Sequence, residues 1–173
     1  FGAGDFESLR KFLANAIYLS ILFSIVITII VAIFCRSILI LMDTPADILE
    51  DAYKYIYIIF LGIPVTFLYN LTSGVLRSLG DSKTPVYFLL LASVINICLD
   101  LWFITNIGMG VEGAAYATVI SQFIAGSGCL IYMIFKFPIL HISRYEAVFD
   151  SHYVSLLCNM GVPMGLQYSI TAI

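Results

Sequence analysis

Four long stretches, residues 12–33, 52–76, 85–107 and 114–137, carry at most one charged side chain each, and a fifth apolar run opens near residue 153. A helix needs about 20 apolar residues to cross the hydrocarbon core of a bilayer, and each of the four is long enough. Inside lipid every backbone N–H and C=O must be satisfied by the chain itself, which leaves helices or closed barrels. None of the runs shows the apolar/polar alternation over about ten residues that barrel strands require, so helices are expected. Composition agrees: 61% of the 173 residues are hydrophobic and only 11% charged, with a mean hydropathy of +1.03, against about 25% charged residues in soluble domains. The expected fold is all-α, a polytopic transmembrane helix bundle.

Within such runs the polar residues carry the information. Ser93, Asn96 and Asp100 lie inside the third run and fall within about 60° of one another on a helical wheel, which makes them a single stripe. An Asp at the middle of a spanning helix costs about 2.5–3.5 kcal/mol on insertion scales and usually faces a protein interior or a water-filled cavity. Trp102, two residues on, suits an interface and draws Asp100 toward one membrane surface. In the second run Tyr55, Gly62, Thr66, Asn70 and Ser73 share a face of about 80°. Pro64 beside Gly62 is expected to kink this span. The kinked, polar-faced helix fits a water-lined pathway, and equally a helix glued to its neighbours by Thr66 and Asn70. In the fourth run Thr118, Ser121, Gln122, Ala125 and Cys129 form a small, polar face that permits close backbone approach. Ser20, Ser24 and Thr28 mark a packing seam on the first.

The connectors are short and punctuated. Asp5 and Ser8 are candidate caps for the first helix. The acidic loop at 42–51 lacks the ligand spacing of a calcium loop and reads as solvated. In LRSLGDSKTP, at 76–85, Gly80 can close a helix in the left-handed region, Asp81 to Thr84 offer caps, and Pro85 suits the next first turn. The longest polar connector, 137–151, holds His141, Arg144 and Glu146 without any metal-ligand spacing, and surface or headgroup contacts are expected of it. A second break is expected at Gly161, Pro163 and Gly165. Cys35, Cys98, Cys129 and Cys158 show no C-x-x-C spacing and read as packing residues. A signal peptide is not expected, because the first run is too long and acidic Asp5 and Glu7 precede it. The sequence opens on FGAGDFE without an initiator Met and stops within an apolar run, so it reads as an interior piece of a longer chain. With alternating sides, Arg10, Lys11, Arg77, Lys83, Lys136 and Arg144 share one face of the membrane against Arg36 and Lys54 on the other; the positive-inside rule makes the first set cytoplasmic.

Taken together, the FGAGD turn opening a helix, LRSLGDSKTP after a kinked span, N-x-x-x-D at Asn96 and Asp100, and GVEGAAYAT at 110–118 resemble the multidrug and toxic compound extrusion (MATE) family of secondary transporters over the whole chain. The resemblance implies a partial MATE-type lobe. Residues 1–137 would belong to the first six-helix lobe and supply four transmembrane helices, 138–152 would be the cytoplasmic interlobe loop, and 153–173 would start the first helix of the second lobe. It further implies efflux of organic, cationic drugs or toxic compounds by antiport against Na⁺ or H⁺, from the plasma (inner) membrane. By position, Asp100, Asn96 and Thr118 resemble the family's cation site, with Na⁺ at Asp100 and Asn96 as one form of it. Tyr55 and Asn70 resemble pathway residues, which Thr66 and Ser73 join by their shared face. The implied partners are a small organic substrate, the coupling cation, the bilayer and the remaining helices of the parent chain. No cofactor, enzymatic activity or nucleic-acid partner is expected. A lipid-linked-precursor flippase of the same superfamily and a structural membrane subunit stay open. An embedded enzyme would need a nucleophile or a paired acid and base at membrane depth, and Asp100 has no intramembrane His, Lys or second carboxylate for that.

Overall fold

The structure, a computed structural model, describes residues 2–171. The described residues form helices and connecting turns, without strands. In chain order the helices are α1 (Phe6–Leu41), α2 (Leu49–Leu61), α3 (Ile63–Ser78), α4 (Lys83–Trp102), α5 (Val111–Lys136) and α6 (Ser151–Thr171). They group into two compact units: Ile21–Lys136, and the described residues of 1–20 with 137–173.

In the larger unit α5 is the hub on which α2, α3 and α4 pack. Its sequence explains this role, because Gly113, Ala117, Ser121, Ala125, Gly126 and Cys129 are small and buried, so neighbouring backbones approach closely. A Cβ added at Gly126 would sit 3.3 Å from the backbone N of Tyr69, and one at Gly113 would sit 3.0 Å from Phe103 Cβ. The α2–α3 pair is the expected kinked span. Two helices meet at Gly62 with a 42° bend, and Pro64 stands in the first turn of the second. Pro64 has no N–H to give to the preceding turn, which makes this the cheapest place to break the ladder. In this unit Lys54 Nζ lies 3.5 Å from Glu112 Oε1, and Arg36 Nη2 lies 3.8 Å from Glu50 Oε2. These exposed pairs contribute little stability each.

The 76–85 connector folds as its residues dictate. Gly80 takes φ +91°, and Asp81 receives the Thr84 N–H on Oδ1 at 3.1 Å and the Thr84 hydroxyl on Oδ2 at 2.8 Å. Tyr132 from α5 adds a third bond to Oδ2 at 3.0 Å. Asp5 opens α1 in the same way, taking the N–H and hydroxyl of Ser8.

Three helices, α1, the α4 stretch to Ile107, and α5, are long and apolar enough to cross a membrane, and the α2–α3 pair is so when its two bent halves are taken together. The chain is a polytopic helical bundle. Three expectations need correction. The first helix is 36 residues long, well beyond 12–33, because nothing between Leu9 and Leu41 breaks a helix. The break expected around Pro163 is absent: α6 runs continuously from Ser151 to Thr171. Its serines, histidine, asparagine and glutamine also keep it below the apolarity of the other spans. Finally, the 137–151 connector is largely exposed, as expected, but Glu146 within it is not a surface charge. Glu146 is only 9% exposed and is paired with Arg10 at 2.6 Å.

Candidate functional site

Asn96 lies one turn before Asp100 on α4, and Thr118 lies in the second turn of α5. The small face of α5 lets the two helices close on each other. Amide oxygen and nitrogen are told apart by their neighbours. One orientation of Asn96 satisfies both its own oxygen and its own nitrogen. Its N–H donates to Asp100 Oδ2 at 3.2 Å, while its oxygen accepts from the Thr118 backbone N–H at 3.1 Å and hydroxyl at 3.2 Å. The reverse orientation keeps a single bond, from Asn96 Nδ2 to Thr118 Oγ1 at 3.2 Å, and turns the amide oxygen toward acceptors. The three residues expected to form a cation site are therefore in contact.

Asp100 is left incomplete. Its Oδ1 is enclosed and receives no hydrogen bond among the described residues. An unpaired buried carboxylate oxygen is costly. Immediately after Asp100, α4 gives way to a π-helical turn at Phe103–Ile107, closed by Gly108 at φ +72°. Such turns widen a helix locally and occur often at functional sites.

A cavity of about 270 Å³ opens between α4 and α5, lined in part by Leu89, Ser93, Asn96, Thr118, Ser121 and Gln122. Asp100 is not in its wall; Asn96, which is, hydrogen-bonds to Asp100. Gln122 extends the polar surface to α3, because the Thr66 hydroxyl donates to Gln122 Oε1 at 2.8 Å. Ser93, exposed on α4, turns its hydroxyl back to the Leu89 carbonyl at 3.0 Å.

The predicted pathway face on α2 and α3 is split. Thr66 reaches the cavity wall through Gln122, and Asn70 is exposed. Tyr55 is half-buried, and Ser73 is buried at 3% exposure. Gln122 was visible in the sequence as part of α5's small, polar face, but only the packing of α3 on α5 shows that its amide is anchored. The four cysteines are free, and no cluster of metal-ligating side chains occurs among the described residues.

Comparison with known proteins bears on this arrangement. A family profile, MatE, matches residues 1–102. The chain belongs to the MatE family. Among the relatives of this MatE chain, a probable multidrug resistance protein of Bacillus subtilis, YpnP, is 40% identical over 134 residues, which is 75% of this chain and 29% of that protein. A second from the same organism, the probable multidrug resistance protein YoeA, is 32% identical across 100% of this chain and 39% of its own length. A solved structure described as the inward-facing conformation of a multidrug resistance MATE family transporter of the MOP superfamily superposes with a TM-score of 0.85 at 27% identity. It covers 94% of this chain and 37% of that one. The MatE chain thus spans roughly a third of the length of these relatives, as a partial MATE-type lobe.

Proposed function

We propose that this chain forms part of a membrane antiporter that exports small organic, cationic compounds in exchange for Na⁺ or H⁺. The observation that carries the reading is Asp100. It is a carboxylate within a spanning segment, with Oδ1 unsatisfied and Oδ2 held by Asn96, whose amide is in turn held by Thr118. Neutral oxygens beside a carboxylate are the donor set a hard cation prefers. A bound Na⁺ would take Asp100 Oδ1 and the free lone pairs of Asn96 and Thr118; a proton would neutralise Asp100 alone. Either event removes a charge from α4, just before the π-helical turn. It shifts the transporter between inward- and outward-open states to the extent that those states bind the cation unequally. The names of the relatives, probable multidrug resistance proteins, support drug-like organic substrates. One relative is named as an FAD transporter, and that anionic cargo marks the alternative the substrate assay must separate.

In this reading residues 1–137 belong to a first lobe, 138–152 to a cytoplasmic connector between lobes and 153–173 to the start of a second lobe. The loops bearing Arg10, Arg77, Lys83 and Arg144 face the cytoplasm. The test is efflux of a fluorescent organic cation by the full-length transporter, with Na⁺ and H⁺ gradients collapsed separately. Export should follow one gradient and be lost in Asp100→Asn, while the protein remains folded in the membrane. Undiminished export by that variant would remove Asp100 from coupling and sink the proposal.

A further inference from the structure

The smaller unit holds a polar construction that the cation site does not use. Arg10 donates from Nε to Glu146 Oε1 at 2.8 Å, brings Nη2 to 2.6 Å of the same oxygen, and reaches the Ile139 carbonyl with Nη1 at 3.4 Å. Glu146 uses its other oxygen to accept the N–H and hydroxyl of Ser143, at 3.0 and 2.9 Å. Two turns further along α1, the Tyr18 hydroxyl donates to the Ala147 carbonyl at 2.8 Å. Between them lies Asn15, completely buried. Its Nδ2 donates to the Lys11 carbonyl at 2.9 Å and to the Val148 carbonyl at 3.3 Å, and its Oδ1 accepts the Asp150 N–H at 3.0 Å.

Asp150 is itself the N-cap of α6. Its side chain accepts the His152 N–H at 2.8 Å, and its carbonyl accepts the Val154 N–H at 3.1 Å. Asn15 therefore holds the residue that starts α6. Phe12 of α1 packs edge-on against Tyr153 in the first turn of α6, with ring centroids 4.6 Å apart. A connector that only spans distance leaves its backbone to water. Here the carbonyls of Ile139, Ala147 and Val148 and the N–H of Asp150 are all taken by α1 side chains.

We propose that residues 139–150 are a strap latched to the first turns of α1, with Asn15 as the key, and that the latch makes α6 move with α1. The strap itself stands on these bonds alone; its role in the transport cycle rests on the antiport reading above. Fully satisfied buried polar networks are rigid, and leaving one member unpaired is expensive. Glu146, the carbonyls of Ile139, Ala147 and Val148, and the Asp150 N–H have their partners on α1, so displacement of the first turns of α1 carries the N-cap of α6 with it.

Hydrogen exchange and spin-label distances on the full-length transporter in lipid nanodiscs test both halves. In the wild type, the Asp150 amide and the 143–152 peptide should exchange far more slowly than an unstructured peptide. Asn15→Ala and Glu146→Gln should each speed that exchange about tenfold or more, and Tyr18→Phe should speed it less. Peptides from α5 should be unchanged in all three, which separates release of the strap from loss of the fold. Wild-type exchange at free-peptide rates, or no change in the variants, overturns the latch. For the coupling, spin labels at Glu7 and Ser155 should keep one narrow distance distribution whichever ion or drug is added, and the distribution should broaden in Glu146→Gln. A wild-type distance that shifts with ligand overturns the coupling. If the antiport reading fails in the efflux assay, the exchange result still decides the latch.

Discussion

Gly62→Ala sets two effects of opposite sign against each other at the joint of the broken span. Gly62 has φ −81° and ψ −3°, a conformation alanine adopts freely. Losing glycine's freedom in the unfolded chain would by itself stabilise by about 0.4–1 kcal/mol. The new Cβ, however, would lie 2.7 Å from Val119 Cγ2, 3.3 Å from Val119 Cγ1 and 3.2 Å from the Ile59 carbonyl oxygen, where carbon pairs settle at about 3.5–4.0 Å. Valine in a helix has essentially one χ1 well, so its methyl groups cannot swing aside. Forcing a methyl into such a contact costs about 1–3 kcal/mol. Overpacking wins, and a net loss of about 1 kcal/mol is expected, with Gly62→Val worse. Thermal unfolding in detergent should show the midpoint falling by a few degrees. Val119→Ala removes both clashing methyl groups, and in a double-mutant cycle it should recover most of the loss, a coupling of about 1 kcal/mol. A Gly62→Ala protein that melts higher than wild type, with no coupling to Val119→Ala, would refute the close approach of the α2–α3 joint to α5.

Other outcomes follow from named bonds. Thr118→Val removes the hydroxyl bonded to Asn96, worth about 1 kcal/mol, and should weaken the cation dependence of export about fivefold; equal dependence in both proteins would show that Thr118 is spectator packing. Asp81→Ala strips the cap from α4 and should lower stability by about 1 kcal/mol, while Tyr132→Phe, which removes one of Asp81's three bonds, should cost less in the same thermal assay. The Arg10 guanidinium and the Ser143 N–H hold the Glu146 carboxyl down at about 2, below its usual 4.5. A carboxylate depressed on folding contributes fully above its unfolded value and loses that contribution as pH falls toward the folded one. The strap should therefore hold from neutral pH to about 4.5 and loosen between about 4.5 and 2. A spin label at Tyr145, which is 92% exposed, should gain mobility only in that lower window; mobility rising already between pH 7 and 5 would contradict the pairing.

Much of this protein was legible because the deciding physics is local or belongs to the bilayer. Length and apolarity of a run say whether it can span, whatever it packs against. Gly80, Asp81 and Asp5 announce their turns and caps through backbone freedom and short side chains. Gly62 and Pro64 announce a break because proline lacks the donor that a helix needs. Pro163 shows the limit of that rule, since α6 continues through it. The polar stripe on α4 was likewise readable from periodicity, as was the small face of α5.

What periodicity could not decide is which polar groups meet. Asn96 touches Thr118 because glycine and alanine on α5 let two helices close together, and the same packing leaves one oxygen of Asp100 without a donor. Ser73 sits on the predicted pathway face yet is buried, because a wheel gives direction and not neighbours. The strap is the clearest case. Arg10 and Glu146 are separated by 136 positions, and each alone reads as an ordinary surface charge. Asn15, flanked by Ala14 and Ala16 in an apolar run, was the one sequence signal of that contact. Its meaning depended on a loop returning from the far end of α5, and long-range pairing of that kind is decided by the summed packing of whole helices and by no local preference of the residues themselves.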